Sequence, residues 1–342
     1  MTTGASSQRI TLHRTRINRR IARLGFTGSA RDLREGCRYM MRGGGKRIRS
    51  TLVLLSCEAV GGTAAQALDA AVAVELMHNF TLVHDDIMDN ADARRGRPTV
   101  HKKWNANTAL LVGDVLLGEA YRSIGRVRGG GLPALCSILT RGFLHVCEGQ
   151  ALDLEFETRR DVSVRDYFRM IGKKTGSLIA TATEIGGVAG GGTARQRRAL
   201  RRFGLALGRA FQVQDDLLDV VGDPHNFGKT TGGDILEGKK TYLLLTAAAR
   251  ARGRDRALIA RLLARTGTRG AWKTAGGRVT RAGHRLVDEV TDMYRRYGVL
   301  DDARQAVRRA TAEALRNLSR LPSSTAREDL RRLAEALVTR AS

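Results

Sequence analysis

Apolar residues recur at helical spacing through most of the chain, and no alternating run typical of strands persists. The pattern predicts helices near residues 8–24, 29–41, 49–60, 65–92, 106–127, 132–157, 163–188, 194–222, 239–265, 276–296, 299–319 and 324–340. Glycine and proline turns separate them, for example at 43–45, 129–131 and 222–224. Because no long linker interrupts this pattern, we expect one all-α domain over residues 1–342, with 1–28 as a candidate peripheral segment.

The composition fits a helical protein with a large core. Of the 342 residues, 42% are hydrophobic and only four are proline. The four cysteines, at positions 37, 57, 136 and 147, lack metal-binding spacing, so we expect buried, reduced thiols. The basic N-terminus has no signal-peptide core, and no apolar run reaches the ~20 residues that span a bilayer. We therefore expect a soluble, cytoplasmic protein.

The formal net charge is +25, with 59 Lys and Arg against 34 Asp and Glu. Such a surplus suits nucleic acid, an anionic membrane or an anionic substrate. The charge is spread along the chain without the aromatic residues typical of RNA binding, so we expect no specific nucleic-acid partner. Six of the nine lysines lie in glycine-bearing or acidic motifs: Lys46, Lys173, Lys174, Lys229, Lys239 and Lys240. A compact ammonium suits phosphate, although chance clustering would give the same distribution.

Two acidic clusters repeat one spacing on predicted helices. Both read DDxxD: Asp85, Asp86 and Asp89 in the first, Asp215, Asp216 and Asp219 in the second. The first and last Asp of a cluster share a helix face, where like charges disfavour the helix. A single such cluster is usually a solvated acidic face. Two of them favour Mg²⁺, which takes carboxylates together with phosphate oxygens, and facing clusters would hold several ions around one diphosphate.

Basic groups that suit a diphosphate accompany both clusters. The sequence GGGKRIR at 43–49 joins flexible glycines to three cations before a predicted helix. Three arginines at 94, 95 and 97 follow the first cluster, where they could equally cap its helix. The remaining groups are the KKTG sequence at 173–176, the GK sequence at 228–229 and the GKK sequence at 238–240. Together they predict a site for two diphosphates, one held by metals and one by cations.

In this order the motifs resemble those of the trans-isoprenyl diphosphate synthases, the polyprenyl synthetase family. The resemblance is carried by GGGKRIR (43–49), ELMHNFTLVHDDIMDNADARRGRPTVH (75–101), GKKTGSL (172–178), FQVQDDLLDVVGD (211–223) and GKTTGGDILEGKKTY (228–242). It implies an all-α isoprenoid-synthase bundle around a deep central cavity, in a homodimer. It also implies Mg²⁺-dependent, head-to-tail condensation of isopentenyl diphosphate with dimethylallyl, geranyl or farnesyl diphosphate.

Carried over residue by residue, the resemblance assigns several Mg²⁺ ions to the six aspartates Asp85, Asp86, Asp89, Asp215, Asp216 and Asp219. It assigns isopentenyl diphosphate to Lys46, Arg49, His78 and Arg95. It assigns the allylic diphosphate to Arg94, Lys174, Thr175, Gln212, Lys229 and Lys239. The implied catalytic set is Asp85, Asp86, Asp89, Lys174, Asp215, Asp216 and Lys229. In the implied mechanism the allylic diphosphate leaves, the isopentenyl double bond attacks the resulting cation, and proton loss restores an alkene.

Phe80 bears on product length. It lies five residues before Asp85, about 7.5 Å along the helix axis, where an aromatic ring can close the path of a growing chain. An aromatic here with an uninterrupted DDxxD resembles the geranylgeranyl diphosphate synthases, whereas farnesyl-specific relatives add an aromatic at the position of Thr81 or insert residues in the motif. The resemblance thus implies a C20 product, with C15 and C25 or longer as alternatives. Ordinary core packing is the other explanation of Phe80.

One motif position departs from the family, since Ser50 stands where its members usually have Pro. We expect Ser50 to cap the following helix instead. A class I terpene cyclase would share the all-α bundle but would need only one DDxxD cluster and no isopentenyl site, so the second cluster with Lys46 and Arg49 argues against it. The weakly periodic stretch 266–283 predicts a surface connection without chemistry.

Overall fold

Helices form nearly all regular structure in the computed structural model, which describes residues 3–27, 29–129, 131–222, 232–264, 272 and 279–339, with side chains from residue 8 onward. The helices are α1 Thr3–Ala22, α2 Arg31–Arg42, α3 Ile48–Ala59, α4 Ala64–Met88, α5 Val100–Lys103, α6 Ala106–Ile124, α7 Leu132–Thr158, α8 Val164–Ile171, α9 Ser177–Ala189, α10 Ala194–Val221, α11 Gly233–Glu237, α12 Tyr242–Arg250, α13 Gly253–Leu263, α14 Arg281–Arg296, α15 Val299–Leu318 and α16 Thr325–Val338. A π-helical segment, Gly172–Gly176, joins α8 to α9, and two strands, β1 Ala93–Arg94 and β2 Arg97–Pro98, form a hairpin. The predicted all-α class is confirmed.

Contacts divide the chain into two compact units. Unit 1 comprises Met1–Leu144, Leu178–Gly204 and Arg316–Arg332, and unit 2 comprises His145–Ser177, Leu205–Leu315 and Leu333–Ser342. None of the described helices combines the length and hydropathy that a membrane span needs. Most of the stretch 266–283 and the C-terminal residues 340–342 lie outside the described residues.

Helix α4 is the centre of unit 1. It is apolar on nearly every side, and Ala67, Ala70 and Ala71 are fully buried, as expected of a helix surrounded by others. Its neighbours are α3 and α6, and α1 packs on α3 and α4 with Ile17 fully buried. The DDxxD aspartates of this unit lie at the C-terminal end of this buried helix, which therefore fixes their position.

The first acidic helix ends earlier than predicted. Helix α4 stops at Met88 rather than near residue 92, and Asp89 is its C-cap. The arginines that the sequence allowed as helix caps instead form the β1–β2 hairpin, in which Arg94 pairs with Arg97. Arg95 and Gly96 have positive φ values of 54° and 72°, the geometry of a tight hairpin turn. The hairpin returns the chain toward the end of α4.

The start of α3 also differs from the prediction. Ser50 is not its cap: the N-cap is Arg47, in the left-handed conformation with φ 51°. Ser50 lies in the first turn, where its hydroxyl oxygen is 3.1 Å from the Arg47 carbonyl oxygen. The capping prediction was wrong because α3 begins at Ile48, one residue before the predicted start, so that Ser50 already lies inside the helix.

Unit 2 contains two departures from long predicted helices. The region 163–188 is not continuous α-helix, because the π-helical segment Gly172–Gly176 interrupts it. The region 239–265 is two helices, α12 and α13, separated at Ala251, which is extended. Helix α12 packs on α8, α13 and α14, and α11 packs on α14. Residues of α8, α11 and α12 contact the second DDxxD cluster on α10.

Candidate active site

The end of α4 brings the first acidic cluster against the hairpin. Asp85 and Asp89 stay one turn apart, with the Asp89 amide donating to the Asp85 carbonyl at 2.8 Å. Asp86 is buried and accepts from Arg94, whose Nε and Nη2 lie 2.8 and 2.7 Å from its Oδ1. Burial raises the pKa of the Asp86 carboxyl, and Arg94 opposes that shift. A predicted metal ligand and a predicted diphosphate ligand are therefore in direct contact.

Unit 1 also brings together the cations predicted to hold isopentenyl diphosphate. Arg49 Nη1 lies 3.1 Å from His78 Nε2, and Arg95 Nη1 donates to the carbonyl of Gly44 at 2.5 Å. Lys46 adjoins this group in the glycine loop, defined here as residues 43–47. Burial, and then the other arginines, lower the pKa of Arg95 and lower that of Arg49 to about 10, so both remain charged at neutral pH.

His78 is neutral in this setting. Burial, followed by the charges of Arg49 and Arg95, holds its pKa well below the ordinary value. A guanidinium has no acceptor, so Nε2 of His78 accepts from Arg49 and the ring proton is on Nδ1. The result is a set of crowded cations around a neutral imidazole, an arrangement that attracts a polyanion such as a diphosphate.

The second acidic cluster lies on α10 in unit 2. Asp215 is exposed, whereas Asp216 is buried and accepts three hydrogen bonds. The donors are the Tyr167 hydroxyl at 2.7 Å, Gln212 Nε2 at 3.1 Å and the Tyr242 amide at 3.3 Å. The backbone amide of Asp234 donates to Asp219 at 2.9 Å. Three elements besides α10 thus orient these carboxylates.

Asp234 adds a fourth carboxylate that the DDxxD motif does not include. Burial first and Asp234 second raise the pKa of Asp216 and Asp219 to about 7. Lys239 Nζ lies 3.4 Å from Asp234, and that carboxylate raises the pKa of Lys239. Asp234 could have been found from the sequence as the acidic residue between the paired glycines and the lysines of GGDILEGKK. Tyr167 carries no such signal.

The remaining predicted ligands of unit 2 surround the π-helical segment. Lys174 Nζ contacts Asp153 of α7 at 2.5 Å, and Thr175 donates to Gln212 at 2.8 Å. Gly149 of α7 permits the approach, since a Cβ there would lie 2.2 Å from the Lys174 amide nitrogen. A chain of hydrogen bonds thus runs from Thr175 through Gln212 to the second cluster. Lys229 lies outside the described residues.

The two candidate length-determining residues are buried in unit 1. Phe80 packs edge-on against His84, with ring centroids 4.7 Å apart, and lies 5.6 Å from the ring of Phe143 of α7. Thr81 donates to the carbonyl of His78 at 2.8 Å. Phe143 was not singled out from the sequence, because nothing in the apolar pattern of α7 distinguishes it from other core positions.

Mg²⁺ suits the chemistry of both clusters. Their donors are carboxylate oxygens, and the pKa values of Asp216 and Asp219 are raised first by burial and then by the nearby Asp234 carboxylate, whose charge a divalent cation would offset. In the described part of the chain no three acidic, His or Cys side chains form a ready-made metal cage. Mg²⁺ does not need one, because it keeps several waters and binds one or two carboxylates plus substrate phosphates.

Comparison with known proteins identifies relatives over most of the chain. The family model described as polyprenyl synthetase matches residues 30–275. A short chain isoprenyl diphosphate synthase of Methanothermobacter thermautotrophicus is 39% identical over 305 residues, 88% of each chain. A geranylgeranyl diphosphate synthase of Methanosarcina mazei is 42% identical over 218 residues, 63% of this chain and 67% of that protein.

A solved structure extends the similarity to the fold. The geranylgeranyl pyrophosphate synthetase of Pyrococcus horikoshii has a TM-score of 0.89 and 34% identity, covering 99% of both chains. Relatives from Natronomonas pharaonis and Aeropyrum pernix, at 39% and 38% identity, are named geranylfarnesyl diphosphate synthase. The residues matched by the family model include both acidic clusters and the glycine loop.

Proposed function

The chain belongs to the polyprenyl synthetase family and is a transferase of the trans-isoprenyl diphosphate synthase type, and on this premise we propose that it makes mainly geranylgeranyl diphosphate (C20). It condenses isopentenyl diphosphate head-to-tail with an allylic diphosphate. The observation that carries the condensation reaction is that the chain has two DDxxD clusters and, in unit 1, a separate cation cluster. A terpene cyclase would have no use for that cation cluster.

We assign isopentenyl diphosphate to the cation cluster of Lys46, Arg49, His78 and Arg95. Neutral His78 supports this assignment. Its Nε2 accepts one hydrogen bond, from Arg49 Nη1, and the other guanidinium nitrogens of Arg49 do not bond to His78. We assign the allylic diphosphate to Arg94, Lys174, Thr175, Gln212, Lys229 and Lys239, and Mg²⁺ to the six DDxxD aspartates. Bound Mg²⁺ would neutralise charge on the departing diphosphate.

The protein's own part in the reaction is electrostatic and positional. Arg94 and Lys174 stand next to carboxylates that fix their side chains, so both present charge to a diphosphate without large rearrangement. Gln212 orients the buried Asp216 and is itself oriented by Thr175. The departing diphosphate is the base in this proposal, since we assign that role to no side chain.

The C20 length rests on two aromatic rings in unit 1. Phe80 and Phe143 contact each other, and a growing prenyl chain that meets this pair would stop. The small Thr81 leaves room that a second aromatic would fill in a C15 enzyme. Products of C15 and of C25 or longer are the alternatives, and the geranylfarnesyl relatives make C25 the nearer one.

We propose a cytoplasmic homodimer. Leu110 and Leu111 of α6 and Leu144 of α7 are 50%, 51% and 57% exposed, which is unusual for large aliphatic side chains. A second copy covering these leucines would remove them from water. Light scattering after gel filtration tests the dimer, and Leu144→Glu should shift it toward monomer.

Product analysis tests the function. Purified protein is incubated with Mg²⁺, isopentenyl diphosphate and a C5, C10 or C15 allylic primer, and the products are sized after dephosphorylation. We expect C20 from all three primers. Cyclised hydrocarbons made without isopentenyl diphosphate would instead indicate a cyclase, and an absence of any chain growth would reject the proposal.

A further inference from the structure

Arg47 is a buried cation that cannot serve a substrate. It lies between the proposed diphosphate ligands Lys46 and Arg49, yet its side chain is only 4% exposed. All three guanidinium nitrogens already have partners inside the protein. They are Asn18 Oδ1 for Nε at 3.0 Å, Glu75 Oε1 for Nη1 at 2.9 Å and the Met41 carbonyl for Nη2 at 2.9 Å.

The backbone of Arg47 is held in an unfavourable conformation. Its φ of 51° is left-handed, a region that non-glycine residues rarely adopt because the Cβ atom crowds the backbone there. The conformation persists because the surroundings determine it. The side chain is fixed at three points, and the Arg47 carbonyl accepts from the Thr51 amide at 2.9 Å.

Glu75 links this turn to the helix that carries His78. Its side chain is 3% exposed, and its two oxygens have separate donors, Arg47 on Oε1 and the Ser50 hydroxyl on Oε2 at 2.8 Å. Residues 75 and 78 are one turn apart on α4, and His78 in turn contacts Arg49. The Glu75 carboxylate therefore connects Arg47 and Ser50, at the start of α3, to the turn of α4 that carries His78.

Glu75 also moderates the repulsion within that cluster. Its charge is the principal one that favours the protonated forms of both Arg49 and Arg95, which otherwise disfavour each other. Ser50, which is not the helix cap that the sequence predicted, takes part as the second donor to this carboxylate. The network thus combines a geometric and an electrostatic function.

We propose that Arg47, Glu75 and Ser50 form a positioning network that presets the glycine loop for isopentenyl diphosphate without touching it. Arg47 and Glu75 are positioning residues: they fix the left-handed turn that directs Lys46 and Arg49, and they tie it to His78. This inference rests on the proposed function of the cation cluster.

Steady-state kinetics with each substrate varied in turn provide the first test. Ser50→Ala should raise the KM for isopentenyl diphosphate about three- to tenfold, and Arg47→Lys, which loses the planar fork, about tenfold or more. The KM for the allylic primer and the product length should not change. Ser56→Ala is the matched control, because Ser56 is equally buried on α3 but its hydroxyl has no partner in the described structure.

Chemical rescue separates positioning from general damage. If Arg47→Ala folds, millimolar guanidinium should restore much of its affinity for isopentenyl diphosphate and should not affect Ser56→Ala. If that variant does not fold, Arg47→Lys carries the test. Equal increases in both KM values, or a Ser56→Ala variant that behaves like Ser50→Ala, would overturn the proposal.

Amide hydrogen exchange keeps this inference distinct from the proposed function. Residues 43–49 should exchange faster in Ser50→Ala and Arg47→Lys than in wild type or Ser56→Ala, with or without substrate. If the wild type makes no prenyl product but the two variants still exchange faster than it does, the proposed function is rejected and the network is retained. Unchanged exchange in both variants would reject the network itself.

Discussion

Adjacent aspartates in each DDxxD cluster have unequal surroundings. Asp86 and Asp216 are buried and hydrogen-bonded, whereas Asp85 and Asp215 are more exposed. The buried member is fixed by protein donors, and the less buried member is the one that water, and therefore a hydrated metal ion, can reach. Each DDxxD motif therefore contains one buried and one more exposed carboxylate among its adjacent aspartates, a difference that the sequence motif alone does not show.

Replacing an exposed member tests the metal assignment. Asp85→Ala or Asp215→Ala should lower turnover by orders of magnitude and weaken activation by Mg²⁺. The helix content should not fall, because each change removes a repulsion between like charges on the helix. Asp92→Ala, whose side chain is 88% exposed, is the matched control and should stay active. Near-normal turnover of wild type in EDTA would contradict the assignment.

Tyr167 is a residue that only the structure reveals as part of the site. Tyr167→Phe removes the hydroxyl that donates to Asp216, and a hydrogen bond to a charged group contributes about 1.5–3 kcal/mol. We expect turnover to fall about tenfold or more and the Mg²⁺ requirement to rise. Tyr242→Phe is the control, because its ring lies 6.2 Å from that of Tyr167 but its side chain does not bond Asp216. Equal effects of the two changes would exclude a specific role for the Tyr167 hydroxyl.

At the scale of single residues, the sequence predicted some of the polar side chains that lie close together but not the aromatic residues beside them. Arg49, His78 and Arg95 were predicted to share a site, and the structure brings them together. Tyr167 and Phe143 could not be predicted, because an aromatic at helical spacing is usually core and only a partner across the fold gives it a role.

Among the elements, the π-helical segment was the least predictable. Its sequence, GKKTG, is polar and contains two glycines but no proline, so it gives no signal that separates a π-helical turn from an ordinary helical one. The deviation depends on contact with α7, where Gly149 leaves space for the backbone of Lys174. π-Helical turns commonly accompany functional residues, and here Lys173, Lys174 and Thr175 lie within one.

Filling the space at Gly149 tests this dependence. The Cβ of Gly149→Ala would lie 2.2 Å from the Lys174 nitrogen and 2.6 Å from its Cα, so backbone must move. We expect about 1–3 kcal/mol of destabilisation and a higher KM for the allylic primer. Gly118→Ala, an open and exposed helical site on α6, should instead stabilise by about 0.5–1 kcal/mol. Thermal melts and kinetics of both variants measure the contrast, and a neutral Gly149→Ala would contradict the close approach.

Two helices contribute the rings proposed to limit product length. Phe80→Ala removes the ring on α4 and should shift the products beyond C20. The double variant Phe80→Ala/Phe143→Ala should make still longer products, because the Phe143 ring still obstructs the chain in the single variant. Thr81→Phe should shift products toward C15. Chromatography of dephosphorylated products reports the distribution. An active Phe80→Ala enzyme with unchanged products would place the limiting wall elsewhere, with α6 the next candidate.

For the whole molecule, helical periodicity predicted the fold class and most helix positions, and the ordered motifs predicted the family. What periodicity could not give were the places where tertiary contacts override it: the early end of α4 at its hairpin, the break at Ala251 and the start of α3 at Arg47. Each of these helix ends depends on a turn or a hydrogen bond that the spacing of apolar residues does not encode.

The second cluster should make the stability of the protein depend on pH. Burial and Asp234 raise the pKa of Asp216 and Asp219 from the ordinary 3.8 to about 7. Between these values the native state binds more protons than the unfolded state, so the free energy of unfolding falls as pH rises. The two carboxyls are close together, so we expect a loss on the order of a few kcal/mol for the pair.

Metal binding should reverse this loss, because Mg²⁺ competes with protons for the same oxygens. Without metal, in EDTA, the Tm should fall between about pH 5 and about pH 8. Mg²⁺ with inorganic diphosphate should raise the Tm most at the alkaline end. Asp219→Asn should flatten the dependence in EDTA, whereas Asp301→Asn, an exposed carboxyl on α15, should not. A wild-type Tm in EDTA that stays constant or rises over this range would mean that the carboxylates of α10 are already compensated within the protein, and the reason to expect a metal there would be lost.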